Sequence, residues 1–111
     1  MSDLSYLNKM LHVVVDRPLG SCHPEYKYRY PINYGYVPNT LAPDGEEMDA
    51  YIIGIDYPID RFYGKCIAII ERLDDVENKL VVAPPDFCFD VNLIKDSVSF
   101  QEQFFKTRII I

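Results

Sequence analysis

The chain has 111 residues, enough for one compact domain with a core and too few for two domains of ordinary size, so we predict a single domain over residues 1–111. Hydrophobic residues make up 49% and charged residues 25%, a balance that excludes a disordered or collagen-like chain. The formal net charge of -6, from 17 acids against 11 Lys and Arg, repels phosphate backbones and excludes nucleic acid as an expected partner.

The first predicted element is a strand over residues 11–15, a β-branched run that ends before Pro18 because proline cannot donate to a ladder. The following segment is polar and aromatic. Its Y-K-Y-R-Y tract, residues 26–30, is compatible with a second short strand that places Tyr26, Tyr28 and Tyr30 on one face.

Two longer strands are predicted next, and we expect them to pair. Residues 50–55 form a nearly continuous apolar run, typical of a strand buried on both faces, and residues 65–73 form a second β-rich run. Residues 80–83 add a strand that completes a hairpin and ends at Pro84. Successive short strands with turn signals between them indicate an antiparallel sheet or small barrel rather than βαβ units.

The helix predicted near the end covers residues 91–105, with Asp90 as its N-cap. Its apolar residues recur at helical spacing and are expected to pack on the sheet. Residues 109–111 are three isoleucines, which fit either an edge strand or a subunit contact, and we favour a homo-oligomer.

Three cysteines are an odd number without C-x-x-C spacing, so we expect free core thiols in a reducing compartment. Two histidines, His12 and His23, have no nucleophile or second ligand at a telling spacing, and structural roles are expected. The chain has no apolar run near the ~18 residues that a membrane span requires, and its first twenty residues do not resemble a signal peptide. These features predict a cytoplasmic protein with no membrane partner.

Acidic residues cluster in a loop before the strand predicted at 50–55. Asp44, Glu46 and Asp49 lie at positions i, i+2 and i+5 around Gly45, which lets the backbone turn tightly enough for carboxylates to converge. Carboxylate oxygens are ligands that magnesium prefers. The alternative is a solvated surface turn, because Asp-Gly with nearby acids is common in loops.

A second acidic cluster, Asp74, Asp75 and Glu77, precedes Lys79 at the predicted hairpin. The simplest interpretation is a solvated hairpin tip. The hairpin also permits its acids and Lys79 to reach the same end of the sheet as the first loop, where cation, acid and phosphate would meet. Lys106 and Arg108 either complement the helix dipole or bind a ligand.

Taken in order, Y-P-I-N-Y-G-Y, D-G-E-E-M-D-A and a hairpin ending K-L-V-V-A-P resemble the soluble inorganic pyrophosphatases, a family of OB-like β-barrels. The Q-F-F-K segment resembles the family's aromatic-lysine pair. The resemblance implies a mainly β fold, a small OB-like antiparallel barrel with one C-terminal helix packed on it. It also implies magnesium-dependent hydrolysis of pyrophosphate, or a related small diphosphate, to two phosphates without an organic cofactor.

The resemblance assigns roles by position. Magnesium would be held by Asp44, Asp49, Asp74 and Glu77, and Glu46 would be the general base. Phosphate oxygens would be bound by Arg17, Tyr34, Lys79 and Lys106.

Several departures from the family's pattern favour an alternative, a catalytically weak or inactive phosphate- or metal-binding domain of the same fold. Glu46 and Glu77 stand where the family usually has aspartate, and Phe105 stands where it has tyrosine. The segment between Asp16 and Tyr30 is shorter than in the family, where a hairpin supplies a lysine and a glutamate. A site widened in this way would discriminate weakly, and short polyphosphates or nucleoside diphosphates could enter.

Overall fold

The structure is a computed structural model that describes residues 3–42, 45–74 and 77–111. Within these ranges it contains a short 3-10 helix, Asp3–Tyr6, six strands and one α-helix. The elements are β1 Met10–Arg17, β2 Asn33–Val37, β3 Met48–Ile52, β4 Arg61–Arg72, β5 Asn78–Ala83, α1 Val91–Glu102 and β6 Thr107–Ile110.

The sheet closes into a five-stranded barrel. Its order is β1-β2-β3-β5-β4-β6, and β1 also pairs with β4, which closes the first five strands into a ring and leaves β6 at the edge. Strand β4 has 12 residues, so β1 pairs along its first half and β6 along its second. All pairings are antiparallel except that of β3 with β5. The predicted fold class, a small OB-like barrel with a C-terminal helix, is confirmed, and the parallel pair makes it a mixed barrel.

Alternating side chains of β3 enter two separate cores, as expected for a strand buried on both faces. Ala50 and Ile52 point into the barrel interior with Val13, Ile69 and Leu80. On the opposite face Tyr51 packs in a second core beneath α1. That core also contains Ile53, Ile67, Ile70, Val81, Ile94 and Val98. The second core fixes the helix against the barrel wall.

Two strand predictions were wrong. The strands predicted at 50–55 and 65–73 correspond to β3 and β4 but do not pair, because β5 forms its local hairpin with β4 and then inserts between them. Residues 26–30 form no strand. Lys27 has φ +62, which turns the backbone. The tract is therefore part of a loop, in which Cys22 and Arg29 form an isolated antiparallel β-bridge.

Helix α1 begins where predicted, because the Asp90 carboxylate accepts a hydrogen bond of 2.8 Å from the Leu93 backbone N–H. It ends at Glu102 rather than at residue 105. Its buried stripe is also narrower than predicted: Ile94, Val98 and Glu102 are buried, whereas Leu93 is exposed. The helix therefore contacts the barrel along one edge.

Only one of the three cysteines is the buried core thiol that the sequence predicted. Cys66 is buried in the barrel, and burial raises its pKa to about 11. Cys22 and Cys88 are exposed, because both lie in loops outside the barrel wall. All three are free, as predicted.

In the described part of the chain, no helix is long and apolar enough to cross a membrane.

Candidate active site

A cavity of about 740 Å³ lies on the outer face of the barrel, beside the second core and the C-terminal end of α1. Its charged lining residues are Asp16, Arg17, Asp49, Arg72, Glu77 and Lys79. Its other lining residues are His23, Tyr26, Tyr28, Tyr30, Tyr34, Gln101, Phe104 and Phe105. The cavity thus has charged and aromatic parts.

Lys79 is the centre of the charged part. It lies on β5, 3% exposed, and the parallel register of β3 and β5 places it beside Asp49. Its ammonium donates to the Asp49 Oδ2 at 2.7 Å, the Tyr34 hydroxyl oxygen at 2.9 Å and the Glu77 Oε2 at 3.3 Å. These three bonds match the three donors of an ammonium group, so each donor of this buried side chain has a partner.

Tyr34 completes this cluster from β2. Its hydroxyl donates to the Asp49 Oδ2 at 2.7 Å while it accepts from Lys79. Burial raises the pKa of Tyr34 well above its usual value, and the negative charge of Asp49 raises it further. The phenol is therefore neutral at physiological pH and holds the orientation of the Asp49 carboxylate.

Arg72, at the end of β4, connects the cluster to the helix. Its Nη1 donates to Glu77 Oε2 at 2.9 Å, and its Nε and Nη2 donate to the two carboxylate oxygens of Glu102 at 3.0 and 2.8 Å. The guanidinium also lies 3.7 Å from the centroid of the Phe105 ring. Burial alone lowers the pKa of Arg72, but the hydrogen bonds and charge of Glu102 outweigh it and raise the pKa.

Consecutive residues Asp16 and Arg17 both line the cavity, although neighbours on a regular strand point to opposite faces. The pairing of β1 with β2 shifts register between Val15 and Arg17, and a bulge of this kind redirects side chains. Burial raises the pKa of Asp16, and the charge of Asp49 adds to the effect. Within the described residues, Arg17 forms no salt bridge, so its guanidinium is available to a ligand.

Five of the predicted site residues come together in the cavity lining. They are Arg17, Tyr34, Asp49, Glu77 and Lys79.

The other predicted residues are placed elsewhere or lie outside the described ranges. Glu46 is exposed in the loop before β3 and does not line the cavity. Asp74 accepts hydrogen bonds of 3.2 Å from the backbone N–H of Lys106, and neither side chain lines the cavity. Asp44 lies outside the described residues.

Sequence reasoning missed Asp16, Arg72 and Glu102. Asp16 was visible as the neighbour of Arg17 after an apolar strand. Glu102 continues the buried stripe of Ile94 and Val98 at four-residue spacing, and an acid in such a stripe signals a buried cationic partner. Arg72 is that partner, 30 positions earlier in the chain, and no local pattern identifies it.

The charged part of the cavity offers oxygen donors of the kind that magnesium prefers. The described residues include no group of three or more His, Cys, Asp or Glu side chains close enough to form a ready metal site. The carboxylates of Asp16, Asp49 and Glu77 nevertheless line one cavity, and the Asp16 and Asp49 charges disfavour each other. A divalent cation would relieve that repulsion, and these oxygen donors are of the chemical type that a hard metal ion takes.

Comparison with known proteins gives independent evidence of the chain's family. The family model for inorganic pyrophosphatase matches residues 7–108. The chain belongs to the inorganic pyrophosphatase family. It is 30% identical over 97 residues to the inorganic pyrophosphatase of Haemophilus influenzae, across 69% of this chain and 55% of that protein. It is 46% identical over 79 residues to that of Xylella fastidiosa, across 65% of this chain and 40% of that protein.

Solved pyrophosphatase structures share the fold. The Ehrlichia chaffeensis enzyme aligns with a TM-score of 0.71 at 16% identity, over 92% of this chain and 85% of that one. The Neisseria gonorrhoeae enzyme aligns with a TM-score of 0.63 at 22% identity, over 86% and 72%. The matches to curated relatives are shorter: they span 35% of the Pseudomonas aeruginosa protein and 36% of the Nostoc protein.

Proposed function

We propose that this family member is an inorganic pyrophosphatase that hydrolyses pyrophosphate to two phosphates with magnesium. The observation that carries the proposal is the cluster of Tyr34, Asp49, Glu77 and Lys79 in the cavity wall. Four motif residues from three strands and a turn converge there on one another. Such a preformed polar cluster in a concave site is a good basis for catalysis by positioning and charge.

The charge of the cavity supports a requirement for cations. The lining carboxylates of Asp16, Asp49 and Glu77, with Glu102 behind them, exceed the cations of Arg17, Arg72 and Lys79 by one charge. Lys79 and Arg72 are also already paired with acids. A diphosphate anion therefore meets no excess of positive charge in the cavity, and divalent ions that enter with it would supply one.

In this proposal Arg17 binds phosphate oxygens, and Lys79 does so by exchanging its longest hydrogen bond, that to Glu77 at 3.3 Å, for a phosphate oxygen. Tyr34 keeps Asp49 oriented. Asp49 and Glu77 are the predicted metal ligands that line the cavity, and Asp16 joins them as a third carboxylate. Bound magnesium would neutralise the diphosphate and lower the pKa of a coordinated water. The assignments of Asp44 and Asp74 to the metal, of Lys106 to phosphate and of Glu46 as general base stay predictions.

Phosphate release from pyrophosphate and MgCl2 tests the proposal. Asp49→Asn should lower kcat/KM by about a hundredfold or more, because it removes a ligand charge and disturbs positioning. Asp56→Asn is the matched control, since Asp56 is an exposed acid that does not line the cavity, and it should keep full activity. Equal activity of the two variants would remove Asp49 from the site.

A second candidate is a phosphate- or metal-binding domain without turnover. Two observations favour it: Glu46 lies outside the cavity lining, and the Phe105 ring covers Arg72 where the resemblance expects a tyrosine hydroxyl. Calorimetry with pyrophosphate and MgCl2 distinguishes the candidates. Binding without phosphate release at high protein concentration would identify the binding domain, whereas release identifies the enzyme.

We also propose a cytoplasmic location, supported by the free, exposed thiols of Cys22 and Cys88, which suit a reducing compartment.

A further inference from the structure

Half of the residues that line the cavity are aromatic, and an inorganic pyrophosphate ion has no apolar or planar group for these rings to contact. His23, Tyr26, Tyr28 and Phe104 line this half, which adjoins the charged half around Lys79. The whole cavity measures about 740 Å³. Sites for drug-sized ligands have volumes of about 300–1,000 Å³, so the cavity is large enough for an organic group attached to a diphosphate.

The aromatic half is preformed because residues 20–30, the aromatic loop, are held at both ends. Within the loop, the Gly20 N–H donates to the Tyr30 carbonyl at 2.7 Å and the His23 N–H to the Tyr28 carbonyl at 2.8 Å. The Tyr28 hydroxyl donates to the Gln101 Oε1 of α1 at 2.8 Å. Loop and helix together therefore hold the Tyr28 ring in place beside His23, and Phe104 follows the end of α1.

His23 and Tyr26 form the outer part of this surface. Their ring centroids are 4.8 Å apart, and His23 also contacts Tyr28 at 5.0 Å. The His23 Nδ1 accepts from the backbone N–H groups of Glu25 and Tyr26 at 3.1 and 3.2 Å. In the neutral imidazole the proton is therefore assigned to Nε2, which becomes a hydrogen-bond donor.

Two large rings at the cavity remain open to solvent. Tyr26 is 71% exposed and Phe104 is 68% exposed, although both line the cavity. Rings of this kind bind planar nucleobases by stacking, which is tolerant of base identity because every base has a π-face. The phenol and imidazole groups add donors for the polar edge of a base.

We propose that the aromatic half binds the base of a nucleoside diphosphate whose phosphates occupy the charged half. The placement of the phosphates rests on the function proposed above. The aromatic loop lies in the segment from Asp16 to Tyr30, where the sequence resemblance indicates a departure from the family's pattern. A single nucleotide fits better than a nucleic-acid strand, because the chain's net charge of -6 opposes a long polyanion.

Calorimetry with ADP and with pyrophosphate, each with MgCl2, tests the subsite. Tyr26→Ala should weaken ADP binding roughly 5- to 150-fold, the effect of losing one stacked base, and leave pyrophosphate binding unchanged. Tyr26→Phe keeps the ring and should bind ADP within about threefold of the parent. Tyr63→Ala is the matched control: Tyr63 is 63% exposed and does not line the cavity.

Phe104→Ala provides a second variant at an exposed ring and should also weaken ADP binding selectively. Unchanged ADP affinity in both Tyr26→Ala and Phe104→Ala would overturn the subsite, as would an equal loss of ADP and pyrophosphate affinity. Pyrophosphate turnover with ADP binding insensitive to both rings would leave the proposed function intact and reject the subsite. Absent turnover with ring-dependent ADP binding would reject the enzyme and support the subsite.

Discussion

Arg72 and Glu102 form a buried ion pair whose polar atoms are well satisfied. Their side chains are each 4% exposed, and the Glu102 carboxylate also accepts a hydrogen bond from the Tyr51 hydroxyl. The bidentate geometry fixes the end of α1 against β4 and so fixes the back of the cavity. Arg108 and Glu71 form a contrasting pair near the surface, where Arg108 is 62% exposed.

Comparing these pairs gives a test at the residue scale. Glu102→Ala should lower the free energy of unfolding by about 3–5 kcal/mol, because it leaves a buried guanidinium without its main partner. Glu71→Ala should cost about 1 kcal/mol or less, since its pair is partly hydrated. Urea unfolding measures both. Similar small losses would show that water or Glu77 compensates Arg72.

Sequence motifs led to residues that line the cavity, including Tyr34, Asp49 and Lys79, and the roles assigned to them stay predictions. The role of Arg72 could not be predicted from the sequence, because it depends on how the end of β4 packs against the end of α1 in the folded chain. The same limit applies to Asp16, since alternation along a regular strand would have turned it away from Arg17. A bulge placed it in the cavity, and bulges leave little local signal in a strand sequence.

At the scale of elements, the approach of β1 to β2 depends on Gly35. This residue is buried in β2 opposite Val15, and a Cβ atom there would lie 1.9 Å from the Val14 carbonyl oxygen. The clash involves backbone, which cannot rotate away. Glycine thus permits the close pairing that sets Arg17 opposite Tyr34 at the cavity.

Gly35→Ala should therefore destabilise the barrel by more than about 4 kcal/mol, a loss typical of severe packing conflict. Gly20→Ala serves as the control, because Gly20 has φ +88 but open space around its Cβ position. That variant should lose only about 1–2 kcal/mol for a left-handed alanine. Midpoints of urea unfolding compare the two. A Gly35→Ala protein as stable as Gly20→Ala would contradict the close approach.

Elements defined by local chemistry were predictable, including the β4–β5 hairpin and the start of α1 at Asp90. The parallel pairing of β3 with β5 was not, because apolar periodicity shows that a strand is buried and does not show which strand lies beside it. The tyrosine tract at 26–30 shows a different limit. Its alternation suits a strand, yet the positive φ of Lys27 and the hydrogen bonds of the loop give a turn instead.

At the scale of the whole molecule, barrel closure leaves β6 at the end of the strand order. Ile109 packs against the core beneath α1, and Ile110 packs against the core inside the barrel. The C-terminal isoleucines therefore account for an edge strand, one of the two expected roles. Ile111 is 61% exposed, next to a strand that pairs on one side within the described chain. An unpaired strand edge with an exposed isoleucine is a suitable surface for a second copy.

We therefore expect the intact chain to be a homo-oligomer with β6 at the contact. Ile111→Asp should give a monomer with unchanged thermal stability, because it places a charge at the contact while Ile109 and Ile110 keep their packing. Leu41→Asp is the control, since Leu41 is 69% exposed in the loop before β3 and should leave assembly unchanged. Static light scattering over a concentration series gives the masses. A monomeric intact chain at every concentration would reject self-association, and dissociation by Leu41→Asp alone would move the contact to that loop.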